Sequence, residues 1–194
     1  MRILFLLVAL VLVLIGCNSQ EQLEKDPIIP VNGHTQDEDK LHLKFIIEIK
    51  EDASKGRMKG IDTPLGTTYQ EIVDKYGEPK GISNEECWTY SYGHLKNDNT
   101  VFYFYHDSCN NRRNILEPET ILNKISASPE FLDIQMTESN VKLALGKPDE
   151  EYLNEAYGGY YLIYDLVQYR LIFIAEENSN TKYIYRVQVA SDAK

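Results

Sequence analysis

The chain has 194 residues, with 30 acidic side chains against 20 basic ones and a formal net charge of −10. Such acidity argues against nucleic acid as a partner and against docking onto anionic lipid headgroups. A hydrophobic fraction of 43%, including 14 tyrosines, is enough to build a sizeable core.

Residues 1–16 consist of Met1 and Arg2 followed by an almost unbroken apolar run that ends in Leu14-Ile15-Gly16, directly before Cys17. The run is shorter than the roughly 20 residues that span a bilayer. Small Gly16 ahead of a cysteine suits the peptidase that trims lipid-modified precursors, so the segment reads as a lipoprotein signal peptide ending in a lipobox. Cys17 then becomes the lipidated mature N-terminus, and its acyl chains, at about 0.8 kcal/mol per buried methylene, give stable anchoring. This reading attaches the protein to the cell membrane through its N-terminal lipid and places the rest outside the cytoplasm.

Residues 17–40 are polar, acidic and interrupted by Pro27, Pro30 and Gly33, the pattern of a disordered tether. Residues 41–50 then alternate, with Leu41, Leu43, Phe45, Ile47 and Ile49 on one side, which predicts a half-buried strand opening the folded domain.

Thr68-Tyr-Gln-Glu-Ile-Val-Asp-Lys-Tyr-Gly-Glu-Pro79 is a short helix with both ends written in. Thr68 and Glu71 form a capping box, and Gly77 and Pro79 form the stop. A version returns at residues 137–148, with Thr137, Val141, Leu145, Gly146 and Pro148 in the same places and Asn140 where the glutamate stood. The same spacing pairs Tyr92 with Tyr161, Phe102 with Leu171 and Phe104 with Phe173, so the correspondence extends into the strands that follow. The predicted architecture is α+β: two tandem helix-plus-antiparallel-sheet repeats, residues 41–127 and 128–194, sharing one core. Hairpins are expected at 87–92 with 101–107 and at 160–165 with 169–175, and third strands at 121–126 and 182–190.

A first hairpin turning about Asp98 places Tyr90 opposite His106 and Cys87 opposite Cys109, a separation that a disulfide accepts. The expectation is a Cys87–Cys109 bond, with two free thiols as the alternative. The same register sends Trp88, Tyr90, Tyr92, Phe102 and Phe104 into the core. Tyr103 and Tyr105 then point outward; in the second hairpin, matched to the first at an offset of 69 residues, Tyr161, Ile163, Leu171 and Phe173 turn inward and Tyr160, Tyr164, Arg170 and Ile172 point outward. A sheet face bearing tyrosines, aliphatics and an arginine is the candidate binding face, unless the tether, the 41–50 segment or the other repeat covers it.

No nucleophile elbow, phosphate loop, zinc-protease motif or dinucleotide turn is present. Cys87, His106 and Cys109 lack a fourth ligand nearby, and the acidic runs, such as Asp149-Glu150-Glu151, read as solvated surface. The sequence therefore implies no enzyme, no cofactor and no metal site, and leaves the oligomeric state open.

Gly66-Thr67-Thr68 through Tyr76-Gly77-Glu78-Pro79, Leu145-Gly146-Lys147-Pro148-Asp149 and the segments around Tyr161 and 171–173 resemble the YjgB-type lipoproteins of Gram-positive bacteria, a family of unknown function. The resemblance covers roughly residues 60–190. More distantly, each unit is similar to the repeats of the beta-lactamase inhibitor protein and of the SmpA/OmlA lipoproteins, which bind other proteins with a sheet. The resemblance implies a non-catalytic protein-interaction module at the cell envelope. The alternative is a lipoprotein that binds a small molecule or a cell-wall glycan on its exposed tyrosines.

Overall fold

The computed structural model describes residues 36–85, 87–92, 100–106, 116–177 and 180–191. The signal segment, Cys17, the tether up to residue 35, the 96–99 turn and Cys109 lie outside the described residues.

In chain order the elements are α1 (Gln36–Ala53), α2 (Tyr69–Tyr76), β1 (Ile82–Glu85), β2 (Trp88–Tyr92), β3 (Thr100–Tyr105), β4 (Lys124–Ala127), α3 (Pro129–Leu132), α4 (Glu138–Leu145), β5 (Glu150–Leu153), β6 (Tyr160–Leu166), β7 (Tyr169–Ala175) and β8 (Ile184–Ser191). All eight strands join one antiparallel sheet in the order β1-β2-β3-β4-β8-β7-β6-β5. The helices lie on one face of it. Between them sits a single core that includes Phe102, Phe104, Ile125, Leu162, Leu171, Phe173, Val187 and Val189.

The two predicted caps are present. Thr68 accepts the Glu71 N–H while the Glu71 carboxylate accepts the Thr68 N–H, and Thr137 with Asn140 makes the same reciprocal pair. Asn140 thus fulfils the role that glutamate has in the first helix, because its amide oxygen accepts as a carboxylate does. Gly77 and Gly146 end the helices with φ of 84° and 83°, a region that side chains with a Cβ rarely enter. Each cap residue also forms an isolated bridge with the start of a later strand segment, Thr68 with Ile121 and Thr137 with Tyr183.

Residues 41–50 are helical, contrary to the strand expected there, and α1 begins at Gln36 inside the stretch expected to be tether. The alternation was fortuitous: Ile46 is wholly buried between half-buried Phe45 and exposed Ile47, and the buried positions are Ile46, Ile49 and Ala53, a helical spacing. This face packs against α4 and β7.

Two edge strands were not foreseen. β1 and β5 carry few apolar residues in no regular alternation, as exposed edges do. The third strands are shorter at their starts than expected, since 121 and 183 only bridge.

The largest correction concerns register. Trp88 pairs with Tyr105, Thr89 with Phe104 and Tyr90 with Tyr103, three residues away from the register expected from a turn about Asp98. An odd slip exchanges the faces. Thr89 and Ser91 therefore line the core beside Phe102 and Phe104, and Trp88 and Tyr90 point outward. The space beneath the sheet here is taken by α2. Tyr69 meets Phe104 edge-on with centroids 5.7 Å apart, and Tyr76 stacks on Phe102 at 6.3 Å, so small side chains suffice at Thr89 and Ser91. The 69-residue correspondence carried the same error into β6. Tyr160, Leu162 and Tyr164 face the helices, whereas Tyr161 and Ile163 face outward opposite Ile174 and Ile172. Cys87 lies beside His106, whose N–H donates to the Cys87 carbonyl at 3.0 Å.

Candidate functional site

Four of the six residues of the predicted binding face share the outward side of the sheet: Tyr103 and Tyr105 on β3, and Arg170 and Ile172 on β7. The other two do not. Tyr164 is 3% exposed, stacks edge-on against Phe173 and donates its hydroxyl to the Gly146 carbonyl at 3.0 Å, tying the end of α4 to the sheet. Tyr160 lies under Lys182, whose Nζ is 3.6 Å from the ring centroid. That lysine also pairs with Glu138 of α4, so Tyr160 belongs to the helix side.

Outward, the sheet forms a cleft of about 480 Å³. Trp88 and Tyr90 of β2 line it at one end, Tyr157 and Tyr161 of the β5–β6 hairpin at the other, and Lys124, Gln188, Arg170 and Ile172 lie on the strands between. Residues from β2 and β6, with four strands between them in the sheet order, line one space, which requires the sheet to curl around it. Tyr157 stands close enough to Tyr90 to disfavour its ionisation.

The aromatic end is tightly built. The Tyr90 and Tyr103 rings meet edge-on at 4.6 Å, and Trp88 meets Tyr105 at 5.2 Å and Tyr103 at 6.4 Å. Lys124, opposite Tyr103 on β4, places its Nζ 4.4 Å from the Trp88 ring and 4.3 Å from the Tyr103 ring, within range of the ring quadrupoles. Burial lowers its ammonium pKa to about 8. Burial, together with the Glu85 carboxylate that accepts the Tyr90 hydroxyl at 3.3 Å, raises the Tyr90 pKa to about 12.

Arg170 is held in place by the sheet itself. Its guanidinium donates to Asp165, its cross-strand partner on β6, at 2.9 Å and to Glu150 on β5. A second concavity of about 460 Å³ is lined by Glu130, Asp133 and Glu176 beside Tyr183 and Tyr185, with no basic side chain among its lining residues.

Trp88, Tyr90 and Tyr161 were assigned to the core from the sequence, and Lys124, Tyr157 and Gln188 were not singled out. The Trp-Thr-Tyr-Ser-Tyr alternation of β2 and the Lys-Ile-Ser-Ala of β4 mark two faces, yet neither says which face is inside. Cys87 is disulfide-bonded. Among the described residues no group of three or more histidine, cysteine or acidic side chains is arranged to hold a metal ion, and no helix is long and apolar enough to cross a membrane.

Comparison with known proteins agrees with the fold. No curated protein matches the chain. The crystal structure of a DUF4309 family protein, YjgB of Bacillus subtilis subsp. subtilis strain 168, is similar with a TM-score of 0.53 and 13% identity, covering 77% of this chain and 97% of that one. Identity that low speaks to the shared fold alone, and it bears out the YjgB-type resemblance read from the capped helices. The family profile matches residues 46–190, and the chain belongs to the DUF4309 family, a domain of unknown function.

Proposed function

We propose that this protein is a lipid-anchored, non-catalytic binding protein of the cell envelope, and that its outward cleft holds a cell-wall saccharide. One observation carries the reading: Trp88, Tyr90, Tyr157 and Tyr161 line a single open cleft that also offers Gln188 and Asn154. Sugar rings present apolar C–H faces that stack on aromatic rings and hydroxyls that bond to amides, which is the mixture found here. The lipobox at Cys17 supplies the address, outside the cytoplasm at the membrane. A Cys87–Cys109 disulfide suits that compartment. In the same proposal the two capped-helix and four-strand halves, joined at β4 and β8, descend from a duplication.

The chain's one tryptophan is Trp88, so its emission reports directly on the cleft. Titration with N-acetylglucosamine oligosaccharides is expected to shift that emission, and Tyr157→Ala is expected to weaken the response several-fold. No shift and no heat of binding at millimolar sugar would refute the saccharide reading. A protein partner is the second reading, favoured by Tyr105 and Tyr152, which are 38% and 43% exposed on the same face. A photo-crosslinker at position 105 that captures one specific envelope protein in intact cells would support it.

A further inference from the structure

Lys124 differs from Arg170, the other cation that lines the cleft, and from the paired lysines elsewhere in the fold. Lys59 pairs with Glu48, Lys75 with Asp62, Lys142 with Glu138 and Glu151, Lys182 with Glu138, and Arg170 with Asp165 and Glu150. No carboxylate among the described residues pairs with Lys124. Its ammonium rests between two aromatic rings, and the carboxylates that share or border the cleft are already engaged: Glu85 accepts the Tyr90 hydroxyl, and Glu150 and Asp165 hold Arg170. Ring faces compensate a cation only in part, and a half-buried charge without a counter-ion carries a desolvation cost. A ligand anion is the partner that would complete this site, because Lys124 lines the open cleft and does not point into the core.

We infer that the cleft selects a saccharide bearing a single negative charge, which pairs with Lys124 while a neighbouring sugar ring stacks on Trp88. The inference rests on the saccharide reading above and adds the ligand's charge to it. A polyanion fits poorly: the chain carries a net charge of −10, and Glu85 and Glu150 stand at or beside the cleft. An isolated carboxylate and an isolated phosphodiester share the required chemistry.

The test uses three probes and Trp88 emission: the neutral N-acetylglucosamine trisaccharide, the same trisaccharide with one ring oxidised to a uronic acid, and the same trisaccharide with one methyl phosphodiester. Wild type is expected to bind at least one charged probe about tenfold more tightly than the neutral one, with the preference shrinking as salt is raised. Which charged probe wins identifies the source of the anion. Lys124→Met is expected to erase the preference, and Lys124→Arg to retain it. Circular dichroism checks that both variants are folded. If wild type binds neither charged trisaccharide more tightly than the neutral one, or if Lys124→Met keeps the preference, the inference is overturned and the saccharide reading stands. If none of the three binds, both fall.

Discussion

Tyr90 and Tyr103 stand opposite one another on β2 and β3, their ring centroids 4.6 Å apart and their planes at 82°. The pair fixes which side of the first hairpin is wet. One residue along on β3, Phe102 and Phe104 are 1% and 0% exposed against α2. Truncating Phe104 to alanine is expected to cost about 3 to 5 kcal/mol in denaturant unfolding, whereas Tyr103→Ala should cost less than half as much. Equal losses, or the reverse order, would contradict the inward placement of Phe104 and the outward placement of Tyr103.

Helix α1 makes a similar contrast between neighbours. Ile46 is 0% exposed and Ile47 is 43% exposed. Ile46→Ala should destabilise by about 2 to 5 kcal/mol and Ile47→Ala by no more than about 0.5 kcal/mol. In a strand with 41, 43, 45, 47 and 49 inward, the order would be inverted.

The helix ends can be tested as a set. Thr68→Ala and Thr137→Ala each remove a capping box and should each cost about 1 kcal/mol. A Cβ added at Gly77 or Gly146 meets nothing within 4 Å, so the cost of Gly77→Ala and Gly146→Ala is purely torsional, about 1 to 3 kcal/mol each. Closely matching values at the paired positions would support the duplication, and a difference of several kcal/mol between them would count against it.

Alkaline stability should pass through a maximum. Lys124 titrates at about 8 in the folded chain, below its ordinary value near roughly 10.4, so between these limits the unfolded state binds more protons and stability rises with pH. Tyr90 and Tyr164 behave oppositely. Burial raises both to about 12, so the stability they contribute is intact below roughly pH 10 and is lost from there upward. Lys142, raised by its hydrogen bonds to Glu138 and Glu151, adds to the same falling limb. Urea midpoints measured from pH 7 to 11.5 should climb and then drop, and Lys124→Met should flatten the climb alone. A monotonic decline in wild type would contradict the burial of this ammonium.

The disulfide at Cys87 predicts that alkylation without reductant modifies neither Cys87 nor Cys109, and that peptide mapping joins the two. Reduction should cost on the order of 3 kcal/mol, as expected for closing a loop of this length. Free alkylation of both thiols would remove the pairing.

The capped helices could be read from the sequence because their signals are local. A threonine, an acceptor three residues on, and a glycine before a proline act within one turn, whatever the rest of the chain does. Strand existence was legible for β2, β3, β6 and β7 for the same reason, since alternation of side-chain size persists over five to seven residues. β1 and β5 carry no such signal, because an edge strand buries little and tolerates almost any polar residue.

What remained for the tertiary structure was the choice of face. Alternation divides Trp88, Tyr90 and Tyr92 from Thr89 and Ser91, but both sets obey it equally well. The decision came from outside the hairpin, when Tyr69 and Tyr76 of α2 filled the core above Phe104 and Phe102 and left Trp88 and Tyr90 to line the cleft. Lys124 acquired its place in the same way: only the pairing of β3 with β2 on one side and β4 on the other brings its ammonium between Trp88 and Tyr103. The sequence by itself determined the capped helices and the central strands. The fold decided the inward face, and with it the site, because burial depends on what packs across from a strand and not on the strand's own pattern.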